Sequence, residues 1–220
     1  MANSGATAAR TPGSLPSASV AALTLRTLRL ILGLAVFGIG VGLTVIAGLG
    51  LDPWTVLADG IARRTGIGIG WTSVVLGALV LLVWIPLRQR PGVGTVLNVL
   101  LVGTVMQVTV DLLPRPDHLA LQVVALLAGI VVVAVGSGIY IGAHLGPGPR
   151  DGLMTGLRQR FGWPHWRGRA TVELTVLALG WLLGGSVGIG TVLFAVLIGP
   201  LVHVALRLLD PRERAARRVP

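Results

Sequence analysis

Leu49-Gly50-Leu51-Asp52-Pro53-Trp54-Thr55-Val56-Leu57 and, 96 residues later, Leu145-Gly146-Pro147-Gly148-Pro149-Arg150-Asp151-Gly152-Leu153 set the organisation of this 220-residue chain. Shifting the sequence by 96 places Leu49, Gly50, Pro53, Leu57, Gly60, Arg64 and Gly66 on Leu145, Gly146, Pro149, Leu153, Gly156, Arg160 and Gly162. The same shift places Gly92, Gly94, Thr95, Val96, Leu97, Leu101 and Gly103 on Gly188, Gly190, Thr191, Val192, Leu193, Leu197 and Gly199. Leu and Gly are common enough here to match by accident in one block. Two separated blocks sharing one offset are much harder to obtain that way, and they predict a duplicated unit.

Working outward from these blocks, the chain is 53% hydrophobic and 12% charged, with a mean hydropathy of +0.84. Those values lie outside the range of a water-soluble domain, and the apolar residues come in uncharged runs long enough to cross a bilayer. Six spans are predicted: Leu30–Gly50, Gly68–Leu87, Thr95–Val110, Leu119 to about Leu145, Ala170–Leu183 and Thr191–Leu206. The last two come from one uncharged stretch of 33 residues, Leu174–Leu206, too long for a single span at the helical rise and divisible at Gly184-Gly185-Ser186-Val187-Gly188-Ile189-Gly190. Residues 1–27 read as a disordered cytoplasmic tail, 28–114 as the first repeat, 119–210 as the second and 211–220 as a basic cytoplasmic tail. The first apolar run exceeds the core of a cleavable signal and is read as a retained helix.

The formal charge of +10 rests on eighteen basic residues, all arginine. In a soluble chain this balance would suggest nucleic acid, but here the arginines sit at the ends of apolar runs, where they set topology and meet lipid headgroups. With both termini cytoplasmic, fifteen of the eighteen fall inside and only Arg63, Arg64 and Arg115 outside. The expected location is therefore the cell membrane, with anionic lipids at the inner face and no nucleic-acid partner. The tail arginines Arg212, Arg214, Arg217 and Arg218 would anchor or orient the chain there. Absence of Cys excludes disulfides and thiolate chemistry.

Three spans per half is an odd number, so the second half enters from the opposite side of the bilayer. The predicted fold is an all-α membrane protein of about six transmembrane helices, arranged as two inverted three-helix repeats, each with a short amphipathic or re-entrant helix. Inverted repeats are common in secondary transporters, which place solute sites between the halves. They also occur in proteins that transport nothing.

The short helices should open at Pro53, with Asp52 as cap, and at Pro149, with Asp151 in the first turn. Two readings stay open for them. They lie at the headgroups, as the one-sided set Leu153, Leu157 and Phe161 favours, or they re-enter and aim their N–H groups at a cavity. In the second case Asp52 and Trp54 would line an outer mouth and Arg150 and Asp151 a cytoplasmic one. Thr95 and Thr191 open the third span of each half as caps, and Asn98, one turn on, is a polar group within the membrane that needs a partner. Glu173 is the acid placed most nearly inside a span and is the candidate for proton or cation coupling, although Arg169 at i−4 would equally give it a local ion pair. No His and carboxylate set has metal spacing, no nucleophile–base–orienter set is evident, and neither a metal, a cofactor nor an enzymatic activity is expected.

In these motifs the sequence resembles the YczE and YitT group of bacterial multi-pass membrane proteins, most closely the YczE branch. The residues that carry the resemblance are Leu49-Gly50 with Pro53-Trp54, Leu145-Gly146 with Gly148–Met154, and the paired Gly-x-Gly-Thr segments. The likeness implies the fold and the cell membrane but assigns no substrate or catalytic residue. The leading expectation is a small permease or channel with a site drawn from Asp52, Trp54, Thr95, Asn98, Arg150, Asp151 and Thr191, acting on a small solute. The alternative is a non-transporting accessory or scaffold for a membrane enzyme or exporter, paired with a second copy or another membrane protein.

Overall fold

The computed structural model describes residues 20–210, within which the regular elements are helices: α1 (Val20–Ala47), α2 (Pro53–Thr65), α3 (Ile69–Trp84), α4 (Val93–Leu112), α5 (Leu119–Ile141), α6 (Pro149–Phe161), α7 (His165–Leu182) and α8 (Ile189–Leu209). Helix α1 starts at Val20, so residues 20–27 are helix and not tail. The run Val20-Ala21-Ala22-Leu23-Thr24-Leu25-Arg26 is rich in good helix formers, and the Thr24 and Thr27 hydroxyls bond back to the carbonyls of Val20 and Leu23. Residues 1–19 and the basic tail 211–220, with its arginines, lie outside the described residues.

The 96-residue offset carries through to the elements. Helices α2 and α6 are 13 residues each, start at Pro53 and Pro149, and stop before Gly66 and Gly162, whose left-handed φ of 74° and 67° closes the last turn. Helices α4 and α8 start at equivalent positions and share one cap, in which the backbone N–H of Gly92 or Gly188 donates to the hydroxyl of Thr95 or Thr191 at 3.2 Å. The segments after α1 and α5 meet these starts reciprocally. Gly94 N–H donates to the Leu145 carbonyl at 3.0 Å, and Gly190 N–H donates to the equivalent Leu49 carbonyl at 2.8 Å.

Helices α1 and α5 cross at the centre, where Gly33 and Gly40 of α1 and their offset partners Gly129 and Gly136 of α5 let the two backbones touch. A methyl group at Gly33 would sit 2.5 Å from the Tyr140 nitrogen, and one at Gly136 would sit 2.5 Å from the Phe37 nitrogen. Lipid gives helices no hydrophobic reason to associate, so close packing of this kind, with its dispersion contacts, holds the pair. Val41, Val45, Leu126, Ile130 and Val133 fill the crossing. Helix α4 packs on α1 and α8 on α5, while α2 packs on α7 and α3 on α6.

The halves differ at one seam. Helix α3 lies along α4, where a methyl group at Gly103 would stand 2.6 Å from the Gly70 carbonyl oxygen, and the Gly70 N–H donates to Gln107 Oε1 at 2.9 Å. No comparable packing joins α7 to α8. There the offset partner of Gly70 is the bulky Trp166, and Gly199, partner of Gly103, has nothing within 4 Å of an added methyl group. Gly103→Ala is accordingly expected to destabilise the chain by about 1–3 kcal/mol through overpacking. Gly199→Ala meets no neighbouring helix and should change stability by less than about 1 kcal/mol, its gain in helix propensity being offset by crowding against Pro200. Thermal unfolding of both variants in micelles checks this, and equal effects would contradict the asymmetry.

Among the described residues four helices, α1, α4, α5 and α8, are long and apolar enough to cross a membrane, and α2 with α3, bent 115° at their junction, makes a fifth if the pair is one broken span. Helix α3 has 16 residues, and the 18 residues of α7 include Arg167, Arg169 and Glu173. The expected spans around Gly68–Leu87 and Ala170–Leu183 are thus helices, but short or interrupted by charge. Gly184 to Gly188 forms the turn between α7 and α8 and is pinned to the first half, with Leu51 N–H on the Ser186 carbonyl at 3.2 Å and Ser186 N–H on Asp59 Oδ2 at 2.8 Å.

Candidate functional site

Both short helices begin deep in the molecule, and their first turns meet. Asp52 caps α2 by accepting from the Trp54 N–H at 3.2 Å, and it also accepts from the Thr55 hydroxyl. Its third partner comes from the other half: Arg150, in the first turn of α6, donates from Nη1 to Asp52 Oδ1 at 3.1 Å. The Asp52 side chain is 2% exposed and that of Arg150 36%. Removing a carboxylate from water is costly unless it is paired and hydrogen-bonded, and all three contacts meet that requirement.

The Arg150 guanidinium also lies over the Trp54 ring, 5.2 Å from its centroid. Trp54 and Arg150 are related by the 96-residue offset, so this stack brings offset partners face to face. The expected separation into an outer mouth with Asp52 and Trp54 and a cytoplasmic mouth with Arg150 and Asp151 does not occur, because both helix starts converge on one place. The set Leu153, Leu157 and Phe161, expected at the headgroups, leaves the packing of α6 to another face. Gly152, Met154 and Gly156 are buried, whereas Phe161 is exposed.

Around this pair lies a cavity of about 70 Å³ walled by α1, α2, α3, α4 and the start of α6, with Thr55, Ser73, Asn98 and Arg150 as its polar lining and Phe37, Val41, Leu76, Val99 and Met106 among its apolar lining. That is room for a few water molecules, far below the ~300–1,000 Å³ of a drug-sized pocket. Trp54 forms one wall. Its Nε1–H is buried and closes no hydrogen bond of ordinary length and angle, the Glu173 carboxylate being the acceptor that it feels. Beside the cavity, Gly148 leaves space into which Asp151, Tyr140 and Asn98 converge: a methyl group there would stand 3.4 Å from Asp151 Oδ2, 3.6 Å from Tyr140 Oη and 3.8 Å from Asn98 Nδ2.

Of the sequence candidates, Asp52, Trp54, Asn98, Arg150 and Asp151 are brought together here. Thr95 and Thr191 are not on the cavity wall. Thr95, fully buried, donates to the Pro147 carbonyl at 2.8 Å and caps α4, while Thr191 caps α8. Glu173 closes no ion pair with Arg169, which is exposed; the carboxylate instead lies within electrostatic reach of Arg150 and Asp52 as well as Arg169. Spacing along one helix could not reveal that partner, because it comes from the α2–α6 junction. Thr55, Ser73 and Tyr140 join the site without having been singled out as ligand contacts. Thr55, at least, was legible as the offset partner of Asp151. Trp84 was missed as a support: it is 1% exposed, and its Nε1–H donates to the Pro149 carbonyl at 3.1 Å, fixing the start of α6.

A family model described as "Family of unknown function (DUF6198)" matches residues 24–207. An uncharacterized protein of Haemophilus influenzae is 43% identical over 201 residues, covering 89% of this chain and 92% of its own length. The uncharacterized membrane protein YczE of Bacillus subtilis is 32% identical over 176 residues, covering 79% and 82%, and the uncharacterized protein YyaS of the same organism is 24% identical over 183 residues, covering 81% and 91%. No solved structure matches. With several apolar helices of spanning length and near-complete alignment to these relatives, the protein is a multi-pass membrane protein that belongs to the DUF6198 family.

Proposed function

We propose that this protein is a small-solute permease or channel of the cell membrane, with its site in the cavity where the two broken helices meet, and that it carries out no chemical step. The observation that carries this reading is the Arg150–Asp52 pair. A charged pair kept beside a cavity, between the starts of two helices from opposite halves, is rare in a lipid-embedded fold and is the kind of feature that marks a solute pathway.

The reading includes two inverted repeats of three crossings each, with α3 and α7 as the second crossing of each half. The reciprocal Gly94–Leu145 and Gly190–Leu49 bonds and the Trp54–Arg150 stack support a two-fold relation between the halves. The arginine bias supports cytoplasmic termini and contact with anionic lipids. Within the family, the paired Gly-x-Gly-Thr and Pro-Trp motifs favour the YczE branch. Glu173, within reach of Arg150, is the candidate for coupling flux to protons or cations. A second copy or another membrane protein is a compatible partner.

Flux of small solutes into proteoliposomes tests the proposal, with the charge-neutral Asp52→Asn/Arg150→Gln double variant as control. Uptake of at least one solute class by the native protein and its loss in the folded control are expected. No flux of any class with folded protein would remove the permease reading and leave the accessory role. Single cysteines introduced at Asp117 and Gln159 into the Cys-free chain check the orientation, the first being accessible from outside and the second only after permeabilisation.

A further inference from the structure

From the charge and hydrogen-bonding capacity of the cavity wall, we infer that the site takes a small monovalent anion, a halide-sized inorganic ion or a free carboxylate of a few heavy atoms. The inference rests on reading this cavity as the solute site and gives that solute a chemical class. Among the described residues Arg150 is the charged residue in the cavity wall, although Asp52, Asp151 and Glu173 are all nearby. Asp52 is not part of the cavity wall, and its oxygens are engaged by the Trp54 N–H, the Thr55 hydroxyl and Arg150. A cation entering would meet a guanidinium first and find no carboxylate in the wall.

The donors, in contrast, are in surplus. A guanidinium offers five N–H groups, and Arg150 commits one hydrogen bond to Asp52 while a third of its side chain stays exposed. Trp54, 8% exposed, contributes its ring to the same wall, its Nε1–H being within reach of the Glu173 carboxylate. Asn98 and Ser73 add an amide and a hydroxyl. The volume of about 70 Å³ then sets the size, enough for a chloride, nitrate or formate and too little for a sugar acid.

Isothermal titration of the full chain in micelles with sodium chloride, nitrate and formate tests this, with sodium gluconate holding the ionic strength. Saturable binding of at least one of the three is expected, at one site per chain and unchanged when sodium is replaced by choline. Asn98→Val should bind about ten-fold more weakly, the worth of one hydrogen bond to a charged group. Asp52→Asn/Arg150→Gln, which keeps the pair's shape and neutrality, should not bind. Failure of all three anions to bind folded native protein would overturn the assignment, as would undiminished binding by the double variant or binding that follows the cation. Anion binding without liposome flux would keep this site and remove the permease, whereas flux of a cation or neutral solute without anion binding would keep the permease and overturn the anion.

Discussion

Arg150→Ala is expected to destabilise the protein by about 3–5 kcal/mol, because it strands the Asp52 carboxylate without its cation in a place that water barely reaches. Two hydrogen bonds remain to that carboxylate, from the Trp54 N–H and the Thr55 hydroxyl, which should hold the loss towards the lower end of the range. The cation–π contact with Trp54 goes at the same time. Adding Asp52→Asn removes the stranded charge, and the Asp52→Asn/Arg150→Ala pair should regain most of the loss, since the penalty belongs to the uncompensated charge more than to the missing contact. Denaturant unfolding of the two single variants and the pair, in micelles, gives the coupling directly. A loss below about 1 kcal/mol for Arg150→Ala, the range of exposed ion pairs, would mean that water reaches Asp52 and would weaken the case for a built site.

The second large effect falls on Gly152. A methyl group there would stand 1.9 Å from Cζ2 of Trp84, inside the ring's van der Waals surface. Trp84 has little freedom to yield, being 1% exposed and anchored through Nε1 to the Pro149 carbonyl at the start of the same helix. Gly152→Ala is therefore expected to cost at least the ~1–3 kcal/mol of an overpacked core and to shift α6 as a body, disturbing Arg150 two residues away. Trp84→Leu, which empties that space, should rescue much of the loss when combined with Gly152→Ala, whereas Trp84→Leu alone should destabilise. Melting temperatures of the single and double variants measure this, and additive losses would show that Trp84 is not what Gly152 accommodates. Where the anion assignment holds, the Gly152→Ala protein should also bind its anion more weakly, because the guanidinium is carried on the displaced turn.

Much of this architecture was legible because lipid imposes simple rules. Uncharged runs located α1, α4, α5 and α8, and the glycines ending α2 and α6 were already paired by the 96-residue offset. The start of α1 was misplaced because low apolar periodicity in residues 20–27 hid good intrinsic helix propensity. Thr95 and Thr191 were offered both as caps and as site residues, and each is accounted for as a cap, with its hydroxyl spent on the backbone. For Glu173 the i−4 arginine was a poor guide. Exposed Arg169 has solvent or headgroups to satisfy it, so no ion pair of ordinary length forms between them.

By itself the sequence determined the membrane as solvent, the helical class, the 96-residue offset between its two blocks and the positions at which the short helices α2 and α6 start and stop. These follow from hydropathy, from the φ freedom of glycine and from caps, all of which act within a few residues along the chain. Only the tertiary structure decided that the first turns of α2 and α6 meet. Whether Asp52 and Arg150, 98 residues apart, form one pair or line two separate mouths depends on how α2 and α6 are packed against the rest of the fold, as by the anchoring of the α6 start through Trp84. A charge in sequence is only a charge; its partner and its exposure are properties of packing, and these turned the Asp52-Pro53-Trp54 and Pro149-Arg150-Asp151 motifs into a single site.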